Sequence, residues 1–99
     1  MARTRVLERI RACVRSGGLV LTMHADEEMG KDDLDVNDVI SALLHGRVIL
    51  KQLDRHRDER KYVVEGPALD ESAICVVCRL GPTRSLVVIT VFRGGLGEG

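Results

Sequence analysis

Aromatic side chains are nearly absent from this 99-residue chain: Tyr62 and Phe92 are the only rings besides histidine, and there is no Trp. The core must therefore be aliphatic, built from Val, Leu and Ile. Two rings are also too few for the stacking platform on which single-stranded nucleic acid is commonly held. Net charge is absent as well, with 15 Lys and Arg against 15 Asp and Glu. That excludes the broadly basic surface that strong non-specific DNA binding needs, though not a local basic patch. No apolar run approaches the ~18 residues of a membrane span. The opening "MARTRVLERIRACVRS" has no apolar signal core, so no secretion is expected. The three cysteines are an odd number without framework spacing, which predicts reduced thiols and a cytoplasmic protein.

What is present is a globular composition, 44% hydrophobic. The length predicts one domain over residues 1–93, with a disordered tail "GGLGEG" at 94–99. There is no internal repeat. Residues 5–16 carry Val6, Leu7, Ile10, Cys13 and Val14 on one helical stripe, with Thr4 as a cap and Gly17–Gly18 as the stop. Arg3, Arg5, Arg9, Arg11 and Arg15 cover much of the rest. They form either a solvated face or a phosphate- or partner-contacting one. "LVLTMHADEEMG" gives a short apolar stretch and then a short helix, capped by Thr22 and ended by Gly30. Asp26 and Glu27 suit its positive N-terminal dipole. The clearest helix is 36–45, with Val36, Val39, Ile40, Leu43 and Leu44 on one face. Asp35 and Asp38 stand as a capping box, and Gly46 follows as the C-terminal reversal.

After Gly46 the apolar period falls to about 2. Residues 47–54, 60–66, 73–80 and 85–92 read as four strands joined by short links, which favours an antiparallel meander. The last two are apolar on both faces, so they are expected to be central or covered on both sides. The fold class is α+β: two or three N-terminal helices packed on a four-stranded antiparallel sheet.

Four groups could carry chemistry. Cys75 and Cys78 have zinc-knuckle spacing, but residues three apart in a strand point to opposite faces, so core cysteines are the better reading and no metal is expected. His24 and Glu28 share a helical face at i, i+4. The carboxylate would orient the imidazole and raise its pKa; the bland alternative is a capped acidic helix with one partly buried His. The hairpin "DRHRDERKY" carries Arg55, Arg57, Arg60 and Lys61, a patch able to grip phosphates unless Asp54, Asp58 and Glu59 reduce it to a solvated loop. Thr90 and Arg93 close the last strand, but at odd spacing they share a side only across a bulge or at the strand end.

The order of His24–Ala25 with Met29, the Asp38–Val39 helix, Gly46–Arg47–Val48–Ile49, Lys61–Tyr62, Gly66 and Ile89–Thr90–Val91–Phe92–Arg93 resembles one bacterial and archaeal family, catalogued as domain of unknown function 4258. That family has been likened to the RelE-like and MqsR-like toxin ribonucleases of the barnase group. The resemblance implies helices followed by an antiparallel sheet, and metal-independent RNA cleavage with no cofactor. It implies a cognate antitoxin partner, of zinc-finger type. The residues it carries over as catalytic are His24, Lys61, Tyr62, Thr90 and Arg93. His24 would move the proton with Glu28 orienting it, Lys61 and Arg93 would hold the phosphate, and Tyr62 and Thr90 would position it. Arg55, Arg57 and Arg60 would bind RNA. Where many relatives carry Arg before the methionine, this chain has Glu28. The competing expectation is a non-catalytic protein-binding module that uses its basic hairpin or an open sheet edge.

Overall fold

Two helix ends show how local sequence sets the framework. In the computed structural model, which describes the backbone of residues 2–94 and the side chains of 5–94, α1 (Ala2–Arg15) and α2 (Met23–Lys31) close in the same way. After α1, Gly18 N donates to Cys13 O (2.8 Å) and Gly17 N to Val14 O (3.2 Å), with Gly17 left-handed at φ 80°. After α2, Leu34 N donates to Met29 O (2.8 Å) and Asp33 N to Gly30 O (3.3 Å), with Asp33 left-handed at φ 55°. These nested bonds satisfy carbonyls that a helix end leaves without partners. Glycine takes the left-handed conformation freely, and Asp is one of the few others that tolerate it. The stop expected at Gly30 is thus displaced. Gly30 lies inside α2, and the reversal falls at Asp33, where it lets Leu34 bury beside Met29. Thr4 likewise lies inside α1 instead of capping it.

Helix α3 (Val36–His45) has the expected bounds and capping box. Asp35 Oδ1 accepts from Asn37 N (2.8 Å) and Asp38 N (3.3 Å), while Asp38 Oδ2 accepts from Asp35 N (3.0 Å). Val39, Ala42 and Leu43 are buried from its inner face.

The sheet contains β1 (Leu19–Leu21), β2 (Arg47–Asp54), β3 (Glu59–Pro67), β4 (Ala73–Leu80) and β5 (Leu86–Arg93), in the order β1-β5-β4-β3-β2. The last four are antiparallel neighbours in sequence order, as expected. The fifth strand corrects the expectation of a four-stranded antiparallel sheet. Leu19 stands opposite Leu86 and Leu21 opposite Val88 in parallel register, so the architecture is three helices and a five-stranded mixed sheet. Three residues are too few to display a period of 2, and their partner lies at the far end of the sequence.

All three helices pack on one face of the sheet. There Val64, Val76, Val88 and Val91 meet Ile10, Met29, Val39 and Leu43, at roughly 1.5–3 kcal/mol of stabilisation for each side chain removed from water. Strands β4 and β5 are central, but among the described residues no helix covers their other face. Helix α3 sits almost on the backbone of β3. A Cβ at Gly66 would fall inside 3.0 Å of Ala42 backbone atoms, and one at Gly46 inside 3.0 Å of the Ala42 and Glu65 carbonyl oxygens. Gly46 is in extended backbone, φ −92°, so it is needed for space and not for the left-handed turn expected of it. From α1, Arg11 caps the end of α3, donating to Leu43 O (3.2 Å) and Gly46 O (2.9 Å). Of the expected tail, Gly94 is held by its N–H to Ala73 O (2.9 Å), and residues 95–99 lie outside the described residues.

Candidate functional site

The side chains expected to act together are spread over the molecule. His24 is exposed in the first turn of α2, at the β1 edge. Thr22 caps that turn, accepting from Ala25 N (3.0 Å) and donating to Ile89 O (3.0 Å). Glu28 is engaged by Lys31 at 2.7 Å. That hydrogen bond holds its carboxyl below the usual range, with the charge of His24 as a smaller contribution. Lys61 lies on the face of β3 away from the helices, 3.9 Å from Asp54. Thr90 lies on the same face of β5, opposite Val77, because a bulge at Ile89 resets the register. Arg93 turns to the helical side instead. It donates from Nε (3.0 Å) and Nη2 (2.9 Å) to Asp32 O and from Nη1 to Ser72 Oγ (3.0 Å), capping α2. His24 and Lys61 are separated by β5 and β4 and lie on different sides of the sheet. Cys75 and Cys78 also face opposite ways: Cys75 Sγ donates to Gly94 O (3.2 Å), while Cys78 is in the core, where burial pushes its thiol up to about 12.

Convergence occurs elsewhere. Where α1 passes the start of β3 and the end of β4, a cleft of about 420 Å³ is lined by Arg9, Asp58, Glu59, Arg60, Tyr62, Arg79 and Leu80. A second cavity of about 440 Å³ continues along α1 to the β4–β5 turn, lined by Arg9, Ala12, Cys13, Leu80, Gly81 and Arg84. The two meet at Arg9 and Leu80. Four arginines from four segments thus line the groove with two carboxylates, in a chain of zero net charge; Arg60 and Tyr62 stand on the helical side of β3, whereas Glu59 and Arg79 alternate to the other face and meet there at the rim. Tyr62 is 5% exposed, its body in the core and its edge on the cleft. Glu59 stands 3.9 Å from Arg79. The hairpin tip beside it is ordered by Asp54, whose Oδ1 accepts from His56 N (3.0 Å) and Arg57 N (3.3 Å). Arginines lining a polar cleft suit a phosphate, which a guanidinium can bind through two parallel N–H donors.

Residues 21–93, most of the chain, match the family described as Domain of unknown function (DUF4258). The chain belongs to that family. No curated protein and no solved structure matches it. The DUF4258 match begins after α1, so Arg9 and Ala12 lie outside the matched span while Arg60, Tyr62, Arg79 and Arg84 lie within it. Among the described residues of this DUF4258 protein no helix is long and apolar enough to cross a membrane.

Of the expected site, the cleft gathers Arg60 and Tyr62. Arg55 and Arg57 stay on the hairpin tip, exposed. Arg9, Arg79 and Arg84 were missed as a group. The arginine face of α1 was the one signal for Arg9. Nothing in "AICVVCRL" or "GPTR" announces that their arginines meet it.

Proposed function

We propose that this protein binds RNA in the arginine cleft and cleaves it without a metal, as a toxin-type endoribonuclease. One observation carries the proposal: Arg9, Arg60 and Tyr62 line a single cleft at the end of β3, with the Arg79–Glu59 pair at its rim. Cleavage by the 2′-hydroxyl needs a proton acceptor, a proton donor for the leaving 5′-oxygen, and cations for the charge that gathers on phosphorus-bound oxygen. Glu59, at the rim of the cleft on the other face of β3, takes the 2′-hydroxyl proton of an RNA strand that crosses the strand end. The Arg9 and Arg60 guanidinium groups hold the phosphate and offset the developing charge. The Tyr62 phenol donates to the leaving oxygen. His24 has no part, because it does not line the cleft. As a cytoplasmic toxin the protein is held inactive by a cognate antitoxin protein, of zinc-finger type.

Incubation of labelled mRNA with purified protein and a chelator is the test. Glu59→Gln is expected to lower the cleavage rate by roughly two to four orders of magnitude while RNA binding persists. His24→Ala is expected to cleave like wild type. RNA left intact by the wild type, alone and with ribosomes, would remove the nuclease proposal.

A second reading, a non-catalytic protein-binding module, draws on the sheet face away from the helices. Leu50, Val63, Val77 and Thr90 stand in one cross-strand row there; Val63 is buried, Val77 and Thr90 are half-buried and Leu50, toward the β2 edge, is exposed. RNA bound but never cut, with growth unaffected by induction, would favour it.

A further inference from the structure

The second cavity differs in character from the cleft it adjoins. Ala12, Cys13, Leu80 and Gly81 give it apolar walls, and one arginine that the first cleft lacks, Arg84, stands at its far side. Its volume of about 440 Å³ falls in the range of small-ligand sites. The turn that presents Arg84 is unusual. Ser85 N donates to Pro82 O (3.2 Å), closing a two-residue turn in which Thr83 (φ 53°) and Arg84 (φ 58°) are both left-handed. Turns with positive φ at both central positions are normally made by Asn, Asp or Gly. A β-branched residue and an arginine occupy them here, in a chain with ten glycines. The turn is also fixed in place. Leu86 N donates to Gly18 O (2.8 Å), and a Cβ at Gly18 would fall inside 3.0 Å of the Arg84 carbonyl oxygen. Retained backbone strain beside a cavity points to a use for the side chain it carries.

We propose that the cavity between α1 and the β4–β5 turn is a nucleobase subsite: a base enters it against Leu80 and Ala12 with the Arg84 guanidinium over its face, while the adjoining phosphate lies in the arginine cleft. The proposal rests on the RNA reading of that cleft. Base stacking on a planar cation needs no aromatic ring from the protein, which suits a chain that has almost none. Stacking tolerates any base, so the subsite tells base-bearing from abasic strands more sharply than one base from another.

The experiment compares two fluorescein-labelled RNA hexamers, one ordinary and one with abasic riboses throughout, by anisotropy at fixed salt in the presence of a chelator. The ordinary strand is expected to bind wild type about tenfold or more tightly than the abasic one. Ala12→Phe fills the cavity from an exposed helix position, so the fold is kept. It is expected to erase that difference while leaving the affinity for the abasic strand unchanged. Arg84→Gln is expected to reduce the difference in the same way. Equal binding of both strands by wild type, with both weakened by Arg60→Ala, would overturn the base subsite and leave the phosphate cleft standing. Binding of neither strand would overturn both.

Discussion

The seam between α3 and β3 and the turn between β4 and β5 use glycine in opposite senses. At the seam, Gly46 and Gly66 have no left-handed backbone to accommodate; a side chain at either would strike Ala42 or Glu65. At the turn the backbone is left-handed twice, and neither residue is glycine. The seam gives up side chains so that a helix can approach a sheet. The turn keeps side chains at the expense of backbone strain. Close packing explains the first. The second has no packing explanation, and it borders the groove.

The comparison breaks or sharpens in three measurements. Gly66→Ala is expected to have the largest effect, a loss of about 1–3 kcal/mol in urea unfolding, because the added methyl meets backbone and cannot swing aside. An unchanged midpoint would mean that α3 stands clear of β3 at Gly66. Replacing Thr83 by Asn and Arg84 by Gly together installs a turn pair suited to positive φ. A gain of roughly 0.5–1 kcal/mol is expected, with weaker RNA binding. Lower stability in that variant would remove the strain on which the contrast rests. The smallest effect belongs to Glu28→Gln, which breaks the exposed pair with Lys31. Glu28 titrates below its ordinary value of 4.5 in the fold, so its contribution is present above that pH and is lost as pH falls through the depressed value. Thermal melts of the variant and wild type should differ slightly at pH 7 and converge in acid. A difference that grows in acid would reverse the assigned sign.

The elements that the sequence discloses are those whose signals are local. Helix α3 carries its cap, its stripe and its length within a dozen residues, and its bounds match the expectation. Residues 19–21 carry no such signal, because a three-residue strand is defined by its partner and not by itself. Gly30 and Gly46 were assigned by residue type alone. Burial of Leu34 displaced the first helix end, and the crowding of Ala42 against Glu65 gave the second glycine a different purpose. The site follows the same division. Arg60 and Tyr62 lie on one strand beside a basic hairpin, so they were visible together. Their meeting with Arg9, Arg79 and Arg84 depends on where α1 lies across the strand ends, which no local pattern encodes.

The parallel pairing of β1 with β5 also bears on synthesis. Of the described strands Leu19–Leu21 is the first to leave the ribosome, and its hydrogen-bonding partner is the last. Helix α2, which follows it, packs against that same last strand. Contacts between distant parts of a chain form slowly, since a long loop must close before they contribute. A nascent chain stopped before Leu86 has no surface for Ala25 and Met29 to cover, and its first strand has nothing to join. Final assembly therefore waits until β5 has been made, and the edge made earliest is the last to find its place.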